Sequence, residues 1–395
     1  MKDKSSESLD TRIVNAGRDE KWTQGVINVP VVRASTCVFD SVEQMKRNTA
    51  KRADKALFYG RRGTQTGFAF SEAIAELEGG VGTYLYPCGT AAITSSLLAF
   101  LQAGDHLLMV DTVYEPTRDF CDKVLAKMGV ETSYYDPMIG DGLSELIRPN
   151  TRVLFLESPG SNTMEVQDVP GLAKIAHAHD IVVMLDNTWA SPILCRPFDM
   201  GVDVSIQAAT KYIVGHSDAM LGTATANAEY WPQLREQSYL LGQCVAADDI
   251  YMGARGLRTL SVRLKQHEQN ALEVANWLSQ HPKVGEIRHP AFSSNPGHEF
   301  FKRDFSGANG LFSFVLPGAS EQGIVAMLDG MQHFKMGYSW GGFESLILKV
   351  NGLDRLRTAT TWTADGPLIR VHIGLEDPGD LIRDLDAGIA RAFSI

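Results

Sequence analysis

Residues 181–218 read IVVMLDNTWASPILCRPFDMGVDVSIQAATKYIVGHSD. Two runs within them, IVVML and VSIQ, are short and apolar, the mark of strands buried on both faces. Runs of the same kind recur upstream as TYLYP (83–87), HLLMV (106–110) and VLFLE (153–157). Between them lie AAITSSLLAFL (91–101), PTRDFCDKVLAKMG (116–129) and VPGLAKIAHAHD (169–180), which carry helical patterns. Buried strands separated by crossover helices predict an α/β domain with a mostly parallel sheet, which we place over residues 61–256.

The pattern changes on both sides. Upstream, SEAIAELEGG (71–80) is amphipathic and ends at Gly79-Gly80, a helix stop. Residues 1–60 have weak periodicity and read as an arm. Downstream, SVRLKQHEQNALEVANWLSQHP (261–282) has helical spacing and stops before Pro282. GLFSFVLPG, SLILKV and LIRVHIG then look like strands, with helices near 320–331 and 379–393. Residues 257–395 therefore read as a smaller C-terminal α+β domain.

Composition excludes several function classes. The 395 residues hold 37 Lys+Arg against 47 Asp+Glu, a formal charge of −10, and 44% are hydrophobic. Such a chain can bury a core and lacks the basic footprint that nucleic acid requires. No window approaches the ~18 apolar residues of a membrane span. The first residues, MKDKSSESLDTR, lack the apolar core of a secretory signal. The five cysteines are scattered and form no Cys-x-x-Cys pair, which argues against a disulfide framework or a zinc site. A soluble cytoplasmic protein without nucleic-acid or membrane partners is expected.

Ligands of open α/β sheets gather beyond the carboxyl ends of the strands, so the residues there were read for chemistry. After TYLYP comes Cys88-Gly89-Thr90 at a helix start. It is either a plain strand-to-helix turn or a phosphate cradle of exposed N–H groups. After HLLMV, Tyr114 could present its ring to a planar ligand. After IVVML, Asp186 either caps the next turn or holds a cationic group, because an unpaired buried acid is costly. After VSIQ, Lys211 sits among small and apolar neighbours, and a desolvated lysine becomes a nucleophile toward carbonyls. The phosphate turn, the aromatic ring, the acid and the lysine together suggest pyridoxal 5′-phosphate. The lysine would form the Schiff base and the acid would keep the ring nitrogen protonated.

A series of longer motifs carries a family resemblance: LFYGRRGTQT (57–66), YPCGTAA (86–92), VYEPTRDF (113–120), FLESPGSNTMEV (155–166), DNTWASP (186–192), VSIQAATKYIVGHSDAMLGT (204–223), YSWGGFESL (338–346) and LIRVHIG (368–374). With them the chain resembles the γ-family of PLP enzymes, the Cys/Met-metabolism group, over nearly its whole length. The resemblance implies the aspartate aminotransferase fold type I, with Lys211 as Schiff-base lysine, Asp186 on the pyridinium nitrogen and Tyr114 on the ring. It implies Gly89, Thr90 and Thr210 at the phosphate, with Ala208 in place of a frequent serine and one hydrogen bond fewer. Tyr59 and Arg61 would reach the phosphate of a neighbouring subunit, which makes the N-terminal arm part of a shared site in a homotetramer. Arg370 would grip the substrate α-carboxylate, with Ser339 and Trp340 beside it.

Two departures bear on activity. Relatives commonly carry Glu-Ser-Pro-x-Asn-Pro where this chain ends in Ser161-Asn162, so the asparagine contact to the cofactor does not carry over. Relatives that cleave at Cγ commonly have Glu-Ser-Leu-Gly-Gly where this chain has Tyr338-Ser339-Trp340-Gly341-Gly342. A phenol and an indole in that wall favour β- over γ-chemistry. The resemblance thus implies β-elimination of L-cystathionine to homocysteine, pyruvate and ammonia, with Lys211 moving the protons and Tyr114 assisting. The alternatives are a γ-type relative or a PLP-fold regulatory protein without turnover. His177, His179, His216 and Cys88 are read as structural.

Overall fold

The computed structural model describes residues 7–394; residues 1–6, the start of the polar arm, lie outside the described residues. A seven-stranded sheet is built from β1 (Gly82–Tyr86), β2 (His106–Val110), β3 (Glu131–Tyr135), β4 (Thr151–Glu157), β5 (Val182–Asp186), β6 (Val204–Gln207) and β7 (Gly222–Ala226), in the order β1-β7-β6-β5-β4-β2-β3. β2 through β6 pair in parallel, whereas β7 runs antiparallel to both β1 and β6. The carboxyl ends of β1 through β6 therefore share one edge of the sheet. The start of β7 joins them there.

The five apolar runs are strands, as their composition dictates. β2 and β5 are buried at every position, with helices covering the sheet. β3 and β7 are not evident in the sequence. β3 is an edge strand, ETSYY, with only Tyr135 fully buried. β7 is GTATA, which is buried throughout but has no bulky side chain to announce it. The helix that ends the amphipathic stretch runs Gln65–Glu78 and stops where Gly79 turns left-handed, at φ 90°.

A second sheet has the order β10-β11-β12-β9-β8. It comprises β8 (Ile287–Arg288), β9 (Leu311–Val315), β10 (Lys335–Met336), β11 (Leu346–Lys349) and β12 (Leu368–His372). Its apolar face packs under the helices Leu260–Gln280, Glu321–Asp329 and Pro378–Ala392. A further core joins the helix Leu9–Asn15, the helix Gln65–Glu78 and the segment around Lys211 to β9 through Leu311. This core holds the Lys211 turn against the second sheet. Among the described residues, no helix is long and apolar enough to cross a membrane.

Candidate active site

The carboxyl edge of the large sheet opens into a cleft of ≈ 940 Å³. The turns after β1, β2, β4, β5 and β6 all contribute to it: Gly89 and Thr90, Tyr114, Glu157 and Asn162, Asp186 and Thr188, and Ala208, Thr210 and Lys211. The second sheet closes the cleft with Arg370 of β12 and with Tyr338 and Trp340 from the loop before β11.

Lys211 is half-buried, and its Nζ donates to Ser339 Oγ at 2.9 Å. The amine also lies 5.3 Å from the centre of the Trp340 ring. Burial pulls its pKa down to about 8, the nearby Arg370 guanidinium adds to that, and Asp186 opposes it. The loop carrying Ser339 can approach this closely because Gly341 follows. Gly341 has φ +87°, and a Cβ there would sit 2.8 Å from Tyr212 N and 3.0 Å from Lys211 Cα.

Asp186 ends β5 and is only 7% exposed. Thr188 donates to its Oδ1 through both its N–H, at 3.0 Å, and its hydroxyl, at 2.5 Å. The hydroxyl of Thr188 in turn accepts from Ala208 N at 2.8 Å, which ties the ends of β5 and β6 together. Burial raises the Asp186 pKa, and Thr188 and Lys211 restrain the rise. A buried carboxyl group with one oxygen outside these bonds suits a cationic N–H donor from a ligand.

Glu157 ends β4 and stands in register with Asp186. Its Oε2 accepts from Tyr114 N at 2.7 Å. Burial first, and then repulsion from Asp186, push its pKa well above the usual carboxyl range. Tyr114 itself is 44% exposed, and burial of its phenol, with Glu157 and Asp186 nearby, raises its pKa. It is therefore a neutral phenol at physiological pH.

Gly89 and Thr90 open the helix Gly89–Phe100, whose first amides have no intrahelical acceptor. A Cβ on Gly89 would lie 2.5 Å from Ala208 Cβ, so the two turns meet too closely for a larger side chain. Cys88 caps this helix, its Sγ accepting from Ala91 N at 3.4 Å. Thr210 lines the cleft, but Leu221 already engages its hydroxyl. Its Oγ1 accepts from Leu221 N at 2.9 Å and donates to Leu221 O at 3.1 Å. A phosphate must compete with Leu221 O for that proton.

Arg370 faces Asn162, with Nη1 3.4 Å from Asn162 Oδ1, and burial lowers its pKa to about 10. Asn162 is in the left-handed region at φ 64°, and its carbonyl accepts from Ser313 Oγ at 2.7 Å. The departure from the family pattern at Ser161-Asn162 thus places an amide beside the arginine.

The cleft of this chain unites Lys211, Asp186, Tyr114, Gly89, Thr90, Thr210, Arg370 and Trp340, with Ser339 bonded to the lysine. It does not include Tyr59 or Arg61. Arg61 lines a separate cavity with Tyr84 and Tyr239, and donates to Tyr239 O at 3.3 Å. Tyr59 is 41% exposed and lies beside Phe39 and Met45. His216 Nδ1 is 2.7 Å from Val214 O, and His177 pairs with Asp203 at 3.0 Å. Glu157, Thr188 and Asn162 carry roles here that no sequence signal assigned to them, although Glu157, like Asp186, is an acid ending an apolar run, Thr188 lies within DNTW, and Asn162 stands in the departure from the family pattern.

The residues fit pyridoxal 5′-phosphate. An amine of lowered pKa, an under-bonded buried carboxyl group and the open end of a helix surround one cleft with an aromatic ring on its wall. Comparison with known proteins agrees. Residues 10–390 match the family described as Cys/Met metabolism PLP-dependent enzyme. The chain is 54% identical over 392 residues to cystathionine beta-lyase MetC of Escherichia coli (strain K12), covering 98% of this chain and 99% of that protein. It is also 38% identical over 391 residues to an L-alanine/L-glutamate racemase of Wolbachia pipientis wMel, covering 96% of each. The solved structure of metB from Corynebacterium glutamicum superposes with a TM-score of 0.88 at 27% identity, over 98% of this chain and 99% of that one.

Proposed function

The chain belongs to the Cys/Met-metabolism PLP-dependent enzymes, and from that premise we infer that it is a carbon–sulfur lyase. It converts L-cystathionine and water to L-homocysteine, pyruvate and ammonia, a step of methionine biosynthesis. One observation carries this reading: 54% identity to a cystathionine beta-lyase across the full length of both chains. The racemase relative stands at 38%.

Lys211, Asp186, Gly89, Thr90, Thr210 and Tyr114 would hold the cofactor. Bound pyridoxal 5′-phosphate supplies an aldehyde for amines and a protonated ring that accepts an electron pair from the substrate Cα. Asp186 keeps a proton on the ring nitrogen. Arg370 grips the substrate α-carboxylate through its planar fork and is held by Asn162. With a pKa near 8, Lys211 has a substantial neutral fraction at pH 7–8 and can take the Cα proton. The same amine then carries that proton to the sulfur as the Cβ–S bond breaks. Ser339 limits where the amine can swing, and Trp340 fills the space beside it. That filled wall suits a bond broken at Cβ. The neutral phenol of Tyr114 would lie against the bound ring and can accept a hydrogen bond from the incoming amine.

Tyr59 and Arg61 complete the phosphate site of a neighbouring subunit in a homotetramer. Their absence from the cleft of their own chain supports this, as do the exposed apolar residues of the arm, among them Ile27 at 72% and Val38 at 88% exposure. The five free cysteines are consistent with a reducing, cytoplasmic setting.

The deciding experiment incubates the holoenzyme with L-cystathionine and identifies the thiol and the keto acid. Homocysteine with pyruvate is the expected pair. Cysteine as the thiol would assign γ-cleavage, and D-alanine formed from L-alanine without thiol release would assign racemisation.

A further inference from the structure

Lining none of the cleft, four charged side chains form a buried chain that runs Arg118–Asp111–Arg357–Glu165. Asp111 directly follows β2, Arg118 lies on the following helix, Glu165 follows β4, and Arg357 lies between β11 and β12. Side-chain exposure is 0% for Asp111, 7% for each arginine and 6% for Glu165. Arg118 Nη2 donates to Asp111 Oδ1 at 2.7 Å. Arg357 donates from Nε to Asp111 Oδ2 at 3.4 Å and from Nη1 to Glu165 Oε1 at 2.9 Å. Positive and negative charges alternate along this chain, and Arg288 adds a longer contact to Glu165 at 3.9 Å, so removal of one partner leaves a buried charge uncompensated.

Asp111 also accepts the backbone N–H groups of Thr358 at 2.9 Å, Ala359 at 3.1 Å and Thr360 at 3.2 Å. One carboxylate thereby pins a segment of the second sheet's connection to the end of a large-sheet strand. These charges bracket the cleft's walls. Tyr114 lies between Asp111 and Arg118 in sequence, and its carbonyl accepts from Arg118 N at 3.3 Å. On the other side, Glu165 O accepts from Gly160 N at 2.9 Å, and Ser161 N donates to Thr112 O at 2.8 Å. Asn162, which faces Arg370, follows directly.

We propose that Arg357 is a positioning residue. By joining Asp111 to Glu165, it holds Tyr114 and Asn162, and through Asn162 the guanidinium of Arg370, in register for the substrate carboxylate. The proposal rests on the reading of Arg370 given above. Its chemistry demands arginine, because three nitrogens reach four acceptors: Asp111, Glu165, Thr163 Oγ1 at 3.3 Å and Thr360 Oγ1 at 2.6 Å. A lysine keeps the charge and loses the fork.

The test compares the Arg357→Lys holoenzyme with wild type. The expected result is a rise in KM for cystathionine of about tenfold with kcat changed less than about threefold, the signature of lost substrate binding. The absorbance of the bound cofactor stays unchanged. Amide hydrogen exchange quickens in residues 111–120 and 158–166 as well as in 357–360. Unchanged KM, or faster exchange confined to 357–360, would overturn the proposal and leave the buried charges as structural glue. If Arg357→Lys does not fold, Thr360→Val removes the acceptor of Arg357 Nη2 together with the long hydroxyl contact to Asp111 Oδ2 at 3.4 Å, and the same two readouts decide with a smaller shift. A wild-type enzyme that leaves cystathionine intact would fell the functional reading instead. The exchange pattern would still decide whether Arg357 holds the Tyr114 and Asn162 segments.

Discussion

Lys211 Nζ donates to Ser339 Oγ at 2.9 Å, a bond between residues 128 positions apart. It joins the turn after β6 to the loop before β11, so the reactive amine is fixed from both sheets. Burial of the amine, with Arg370 close by, favours its neutral form.

Lys211 should therefore titrate far below an ordinary lysine once the cofactor has been removed. Its labelling by trinitrobenzenesulfonate should rise with pH around a midpoint near 8, since only the neutral amine reacts. Unfolded, the same lysine titrates near ~10.4. Between these two values the unfolded chain binds more protons, so the stability of the cofactor-free protein should rise with pH across that window. Lys211→Met should flatten the rise and abolish turnover. A labelling midpoint above 10 would refute the buried-amine reading.

Asp186→Asn should retain the bonds from Thr188 while losing the charge. A charge-assisted hydrogen bond contributes about 1.5–3 kcal/mol, so cofactor affinity should fall roughly 10- to 100-fold. Equilibrium dialysis followed by cofactor absorbance measures this. Unchanged affinity and activity would reduce Asp186 to a strand-end cap.

These residues were legible in the sequence to the degree that burial marks the chain locally. The strands IVVML and VLFLE declare themselves because both their faces are covered. Asp186 and Lys211 stand out because a charge beside such a run needs a reason. β7 was invisible because GTATA packs small side chains tightly beneath the helix Gly89–Phe100. Ser339, Trp340 and Arg370 gained roles only through family resemblance, since no local pattern says that residues 128 or more positions away meet Lys211. The pair of Asp111 and Arg357 is equally non-local, with 246 positions separating them. Asp111 follows HLLMV as Asp186 follows IVVML, but nothing local in the sequence names Arg357 as its partner.

Arg370→Lys should spare the cofactor and harm substrate use. One point charge replaces a two-point fork, and the loss of one charge-assisted bond of about 1.5–3 kcal/mol predicts roughly a 10- to 100-fold fall in kcat/KM. Steady-state kinetics on cystathionine, with the cofactor spectrum as control, test it. Cofactor loss instead would place Arg370 at the phosphate end of the cleft.

Arg61 lies in a cavity with Tyr84 and Tyr239 rather than in the Lys211 cleft of its own chain. If it serves the phosphate site of a second subunit, Arg61→Ala and Lys211→Ala should each be severely impaired alone and should partly rescue one another when mixed. A hybrid dimer then contains one site with an intact Lys211 and an intact donated Arg61, while its other site carries both defects. Activity per hybrid dimer should approach half that of wild type, because one of two sites is whole. Differently tagged variants, co-expressed and purified by both tags, give verified hybrids for the assay. Hybrids as inactive as their parents would mean that Arg61 acts within its own chain, and the shared site would have to be abandoned.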